Sequence, residues 1–170
     1  MKIKNLFITI FVFFSLVKIH SSNAEDNSQL RIVSLNSLSA DIVSKLDSES
    51  LVGIPGSSLL KKNVDLENKV VVSSGRMPPS IEKIIELKPD LVIGSKGFHD
   101  KVLSKLNQLN IRTLETETKS IENLESLIEK LSRKLNKDKK ILLNKIEDCY
   151  KLPIKTKGSA VVLASTKPLL

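Results

Sequence analysis

The chain has 170 residues, a single cysteine, no tryptophan and a formal net charge of +8. The 146 residues after Ala24 are enough for one domain with a core and too few for two full lobes. Cys149 has no partner for an internal disulfide, and we assign it no role. Residues 1–24 contain three lysines, Lys2, Lys4 and Lys18, and no acidic residue. Residues 25–170 therefore have 24 basic and 19 acidic residues, and their net charge is +5. The remaining lysines alternate with acids instead of clustering with aromatics, which argues against nucleic-acid binding.

The first 24 residues show the three parts of a secretory signal peptide. Lys2 and Lys4 form a basic start, 6–17 is an apolar run, and 22–24 supplies small residues before a cleavage point. The apolar run of about 12 residues is shorter than the roughly 20 needed to cross a bilayer, which argues against a membrane anchor. We predict cleavage near Ala24 and a periplasmic or otherwise extracytoplasmic product.

Five short apolar runs are typical of strands, and they lie at 31–35, 51–53, 70–72, 91–94 and 112–114. Helical patterns separate most of them. This alternation predicts an α/β fold, with a parallel sheet and helices on both faces.

The first helical pattern has its apolar stripe at Ala40, Ile42, Val43 and Leu46, and either Ser37 or Ser39 can cap it. Residues 61–69 are polar and predict an irregular excursion. A later helix starts at His99 or Asp100 and ends near Asn110.

Residues 78–94, PPSIEKIIELKPDLVIG, form the most informative segment of the chain. Ser80 predicts the amino-terminal cap of a short helix, and Glu82 favours the helix start electrostatically. Pro89 cannot continue the helix and biases Lys88 away from helical dihedrals. The run 91–93 then predicts a strand buried on both faces.

Together with 31–35 (RIVSL) and 51–54 (LVGI), this segment resembles the amino-terminal lobe of a family of periplasmic binding proteins. That family carries iron-siderophore complexes, haem or cobalamin to ABC importers. The resemblance covers residues 30–135 and reappears weakly at 159–165. It implies the α/β lobe of a helical-backbone binding protein.

Two helices and one strand-like run follow residue 119. The patterns predict helices at 120–135 and 138–151, and Pro153 ends the second. The resemblance implies a signal peptide at 1–24, a ligand-binding lobe at 25–135 and an inter-lobe connecting helix at 136–153. It also implies that 154–170 starts a truncated second lobe, whose first strand is 159–164. We expect the 170 residues alone to bind ligand weakly or not at all, because half of the cleft walls are missing.

Ligands of open parallel sheets bind beyond the carboxyl ends of the strands. The candidate ligand-binding residues are therefore those that follow the first four strands: Asn36, Ser37, Gly56, Ser57, Ser74, Gly75, Arg76, Met77, Ser95, Lys96 and Gly97. No Gly-rich dinucleotide fingerprint follows the first strand.

Arg76 is the leading single candidate, because a planar and permanently charged guanidinium suits the oxygens of an iron chelate. Some siderophore-binding members of the resembled family have Arg six positions before the matched Glu, as Arg76 and Glu82 do here. Cobalamin-binding members tend to use a nearby aromatic, and no aromatic lies between Phe14 and Phe98. These points favour a ferric siderophore as ligand over cobalamin or haem. The alternative for Arg76 is an exposed loop arginine.

The resemblance also implies partners. Family members carry an exposed glutamate on each lobe that docks on arginines of the inner-membrane ABC permease, and Glu82 matches that position. The expected protein is a monomer that performs no chemistry, so it is not an enzyme and needs no cofactor.

Direct metal binding and catalysis are poorly supported. His20 and His99 are the only histidines, and His20 lies in the signal peptide. His99 is a weak candidate for haem ligation, and its simpler role is to start a helix. No nucleophile elbow, zinc motif or P-loop is present. Two rivals remain open: a truncated lobe that serves only as a protein-interaction module or has no function, and, ranked last, an exported α/β enzyme.

Overall fold

The computed structural model describes residues 29–74 and 77–151, in which five strands form one parallel sheet. The strand order is β3-β2-β1-β4-β5. Every pairing is parallel, as predicted. The strands are β1 (Ile32–Ser34), β2 (Leu51–Gly56), β3 (Val70–Ser74), β4 (Leu91–Ser95) and β5 (Thr113–Thr116).

Within these described residues, five α-helices cover the two faces of the sheet. They are α1 (Ser37–Asp47), α2 (Ile81–Glu86), α3 (Asp100–Gln108), α4 (Ile121–Leu135) and α5 (Lys140–Lys151). On one face, Val43, Leu131 and Leu142 join α1, α4 and α5 in a single buried cluster. On the other face, Ile84 of α2 and Leu106 of α3 are fully buried against the sheet. The α/β architecture expected from the alternating pattern is therefore confirmed.

The cap of α1 differs from the prediction of Ser37 or Ser39. Asn36 caps the helix instead, because its Oδ1 accepts the Ser39 N–H at 2.8 Å. The helix begins directly after β1, so Ser37 already lies in its first turn and Ser39 is buried. The irregular excursion at 61–69 contains the short 3₁₀ turn Val64–Leu66.

The Lys-Pro-Asp corner joins α2 to β4 as the sequence indicates. Ser80 Oγ accepts the Lys83 N–H at 3.2 Å and starts the helix. Lys88 adopts a left-handed φ of 46°, which turns the chain before Pro89. Asp90 Oδ2 then accepts the Arg31 N–H at 2.8 Å, and Asp90 N–H donates to the Arg31 carbonyl at 2.8 Å. This exchange sets the start of β4 beside the start of β1.

The other sequence expectations concern the two ends of the chain. The signal segment 1–24 and the strand-like run 159–164 lie outside the described residues, and the domain limits remain a prediction. Within 29–74 and 77–151, no helix has the length and apolar character needed to cross a membrane.

Candidate functional site

A cleft of about 1240 Å³ lies at the carboxyl ends of the strands. The connections after β1 and β4 run to different sides there, since β1 is the strand at which the sheet order reverses. The cleft is lined by eight of the predicted site residues: Asn36, Ser37, Gly56, Ser57, Met77, Ser95, Lys96 and Gly97. It is also lined by Pro55, Ser58 and Ser73 at the ends of β2 and β3, by His99, and by Pro79, Phe98, Asp100 and Lys101, which the sequence did not single out for the site.

The remaining candidates are placed differently. Ser74 lines a neighbouring depression of about 640 Å³, together with Val71 and Leu66. Ser74 belongs to β3, the edge strand, which runs two residues past the predicted end of its apolar run. Gly75 and Arg76 lie outside the described residues.

Asn36 ties the cleft floor to the far strands of the sheet. Its Oδ1 caps α1, and its Nδ2 donates to Thr116 Oγ1 at 3.3 Å. Thr116 Oγ1 in turn donates to the Gly94 carbonyl at 3.0 Å. Ser34 Oγ donates to the Asn36 carbonyl at 2.8 Å. These bonds use the side-chain oxygen and nitrogen of Asn36 to hold the loop between β1 and α1 in place.

Gly56 permits a close approach of two strand ends. A Cβ at this position would lie 2.4 Å from the Ser73 carbonyl oxygen, a distance that backbone atoms cannot tolerate. Glycine is therefore required where the ends of β2 and β3 bring Ser57 and Ser73 to the same cleft.

The turn between β4 and α3 is held by hydrogen bonds at successive residues. Gly97 has a φ of 75°, and its N–H donates to Asp100 Oδ1 at 2.7 Å. The N–H groups of Phe98 and His99 both donate to the Ser95 carbonyl, at 3.2 and 2.9 Å. His99 Nδ1 accepts the Ser95 N–H at 2.9 Å. The turn is therefore built before any ligand arrives.

His99 is 8% exposed beneath this turn. Burial lowers the pKa of its imidazole, because the charged form is poorly solvated there, and Asp100 partly opposes that effect. Since Nδ1 is an acceptor, the neutral ring carries its hydrogen on Nε2. The partner is a backbone amide and not a serine hydroxyl, so this histidine is not arranged as the base of a serine nucleophile. Among the described residues, no group of three or more His, Cys, Asp or Glu is arranged to hold a metal ion.

Phe98 is the cleft residue that the sequence reasoning most clearly missed. Its ring is 86% exposed and lies edge-on to the His99 ring, with centroids 5.3 Å apart. Along the chain no aromatic is near Arg76, but in space Phe98 lines the same cleft as Met77. The available signal was an isolated aromatic directly after Gly97. The argument against cobalamin from a missing aromatic therefore loses its basis.

The charges near the cleft are partly paired. Lys96 Nζ lies 3.3 Å from Glu117 Oε2, and Lys119 pairs with the other oxygen of Glu117. Hydrogen bonds from Lys119 and then from Lys96 lower the pKa of Glu117. All three side chains are exposed, so these pairs contribute little stability.

Glu82 is exposed in the first turn of α2 and is not among the cleft residues. Hydrogen bonding to its own backbone amide, and then the Ser80 hydroxyl, lower the pKa of its carboxyl. Ser80 Oγ donates to Glu82 Oε2 at 3.1 Å. The carboxylate is thus ionised and held at the start of a surface helix.

Residues 32–142 match the family model described as periplasmic binding protein, and the chain belongs to that family. Over 98 residues it is 31% identical to the iron-uptake system-binding protein of Bacillus subtilis (strain 168). The matched segment covers 56% of this chain and 31% of that protein.

Two solved structures have the same fold. One is an ABC transporter substrate-binding protein from Listeria monocytogenes EGD-e, with a TM-score of 0.59, 26% identity, and coverage of 71% of this chain and 46% of that one. The other is Staphylococcus aureus SirA complexed with staphyloferrin B, with a TM-score of 0.54, 27% identity, and coverage of 69% and 41%. The chain therefore spans less than half the length of these relatives.

Proposed function

We propose that this chain is the extracytoplasmic solute-binding component of an ABC importer for a metal chelate, with a ferric siderophore as the preferred ligand. The observation that carries the proposal is the cleft at the strand carboxyl ends of this family member, which serines from several loops line. The iron-uptake relative and the SirA complex with staphyloferrin B support a chelate as cargo.

The cleft suits recognition without chemistry. Ser37, Ser57, Ser58, Ser73 and Ser95 line it. Hydroxyl groups can donate to the oxygens of a chelate or accept from its amides. The hydrogen-bonded turn after β4 and the Asn36 bridge preorganise two of its walls, so affinity comes from a formed cleft and not from a large closure.

Glu82 serves as the permease-docking residue in this proposal. Its ionised carboxylate at a helix start is available to arginines of an inner-membrane partner. The protein acts as a monomer outside the cytoplasm after cleavage near Ala24. We further propose that residues 136–153, which include α5, connect this lobe to a second lobe, of which 154–170 is the start. We expect the second lobe to supply the opposite wall of the cleft.

A haem- or cobalamin-binding member of the family is the second candidate. Phe98 favours it, because tetrapyrrole and corrin rings offer extended apolar faces to an exposed aromatic side chain. A single-lobe interaction module remains the third.

The ligand class is tested by titrating the purified chain with ferric siderophores, haemin and cobalamin while absorbance is followed. We expect a ferric siderophore to bind with the lowest dissociation constant. We further expect Arg76→Ala to raise that constant about tenfold or more, since a charge-assisted fork to oxygen contributes roughly 1.5–3 kcal/mol.

The matched control is Arg133→Ala, which removes an arginine from α4, away from the cleft lining. Equal affinity in wild type and Arg76→Ala would remove Arg76 from the site. Preferential binding of haemin or cobalamin would replace the siderophore assignment.

A further inference from the structure

Phe98 is a large aromatic side chain that no core cluster uses. Among the side chains that the structure describes, it is the only Phe, Tyr or Trp, and it is 86% exposed. Two hydrophobic clusters, one on each face of the sheet, form without it. A solitary exposed aromatic that lines a cleft is suited to contact a ligand, because its apolar area is free to be covered on binding.

The backbone that carries the ring is held in place by hydrogen bonds. Its backbone lies in the turn fixed by the Gly97–Asp100 and Ser95–His99 hydrogen bonds. One edge of the ring contacts the His99 imidazole, at an interplanar angle of 65°. Because the turn is already hydrogen-bonded, a group that binds against Phe98 has to order the side chain but not the backbone beneath it.

The side chains that line the cleft near Phe98 indicate which class of ligand it favours. Met77 is 67% exposed and lines the same cleft, which adds a polarizable apolar surface. Lys101 brings positive charge to the cleft, as does Lys96, whose ammonium group is partly paired with Glu117. The Asp100 carboxylate accepts from the Gly97 amide, so part of its hydrogen-bonding capacity is already used. The cleft thus combines an aromatic surface, a thioether and two ammonium groups.

We propose that Phe98 is a stacking platform for the planar, conjugated part of an anionic ligand. The aromatic ring of a catecholate chelate and the macrocycle of haem both have this chemistry. The inference rests on the proposed function and deepens it, because it selects conjugated anions over aliphatic chelates and names the residue that makes the selection.

The test uses nuclear magnetic resonance titrations of the full chain, which measure dissociation constants into the millimolar range. The probes are iron-free 2,3-dihydroxybenzoate, its gallium(III) complex and, by absorbance, haemin. 2,3-Dihydroxycyclohexanecarboxylate is the matched anion without a π face. We expect 2,3-dihydroxybenzoate to shift the Phe98 and His99 resonances and to bind about two- to tenfold more tightly than 2,3-dihydroxycyclohexanecarboxylate.

Phe98→Ala should weaken 2,3-dihydroxybenzoate about tenfold, and Phe98→Trp should preserve its binding. Leu59→Ala is the control, since Leu59 is an 80% exposed apolar side chain outside the lining of this cleft. It should leave binding unchanged. The gallium complex and haemin are then compared. The ligand whose affinity is lowered more by Phe98→Ala is the one that Phe98 recognises.

The proposal is overturned if the wild type binds neither 2,3-dihydroxybenzoate nor haemin, or if Phe98→Ala binds both as tightly as wild type. Failure of the proposed function looks different. If binding of 2,3-dihydroxybenzoate depends on Phe98 but no metal chelate binds, the stacking role of Phe98 is supported and the proposed metal-chelate ligand is wrong. If an aliphatic ferric chelate binds independently of Phe98, the proposed metal-chelate ligand is supported and the stacking role of Phe98 is wrong.

Discussion

His99 accepts the Ser95 amide hydrogen through Nδ1, and its ring supports the side chain of Phe98. Protonation of Nδ1 would set two donors against each other and would place a charge in a mostly buried position. Because burial lowers the pKa of His99, the folded chain binds this proton less readily than the unfolded chain does. Neutral His99 therefore contributes stability above the ordinary pKa of about 6.5, and the contribution is lost as the pH falls through the folded-state value.

We predict that the free energy of unfolding falls between pH 7.5 and 5.5 in the wild type and falls less in His99→Asn. Asparagine has an amide oxygen that can accept the Ser95 N–H but does not titrate, so the control retains the bond. Urea unfolding at a series of pH values measures the difference. Identical pH dependence in the two proteins would show that His99 does not link stability to pH in this range.

The sequence predicted the position of the cleft but not all of the residues that line it. The strand order along the chain was enough to nominate Ser95, Lys96 and Gly97, because they directly follow an apolar run. It could not nominate Phe98, since the exposure of that side chain depends on the turn geometry around Gly97 and on the hydrogen bond of His99. The double use of Asn36, as helix cap and as bridge to Thr116, likewise depends on which strands are neighbours.

The Lys-Pro-Asp corner shows how a short element positions a strand beside the cleft. Two hydrogen bonds join Asp90 to the backbone of Arg31, one from the side chain and one from the main chain. The Arg31 guanidinium also donates from Nε and Nη2 to the Leu87 carbonyl, at 3.0 and 2.8 Å. Helix end, corner and strand start are thus joined to β1, whose other end begins the cleft.

Asp90→Ala should lower the free energy of unfolding by about 1–2 kcal/mol, because the Arg31 N–H loses its carboxylate partner. Asp90→Asn should lose less, since its amide oxygen can still accept. Asp65→Ala is the matched control, because Asp65 is exposed in a short 3₁₀ turn. Urea unfolding compares the three variants. An effect at Asp90 no larger than that at Asp65 would contradict the structural role of the corner.

Element types were predictable because each has a strong local signal. The helix α4 shows the apolar period that the sequence indicates, and the structure adds a Ser120 cap and a left-handed end at Asn136. Element ends were less predictable. β2 continues through Pro55 and Gly56 because the partner strand β3 pairs with both residues, and that pairing is not visible in either segment alone.

At the scale of the whole molecule, the sheet order brings the ends of distant segments to one cleft. β1 pairs with β2 on one side and with β4 on the other, so residues near 36, 57 and 96 meet although they are far apart in the chain. The parallel sheet could be predicted from alternating strands and helices, together with right-handed crossovers. The chain spans 46% of the Listeria structure, and the proposal that a second lobe supplies the opposite wall of the cleft belongs to this scale.

The most direct test of this account maps ligand contacts on the isotopically labelled chain with diamagnetic gallium(III) chelates at concentrations up to the millimolar range. We predict weak, saturable binding, with amide shifts concentrated at residues 36–37, 57–58 and 95–99. Shifts at the opposite edge of the sheet, or none with any siderophore, haem or cobalamin analogue, would contradict a chelate-binding lobe.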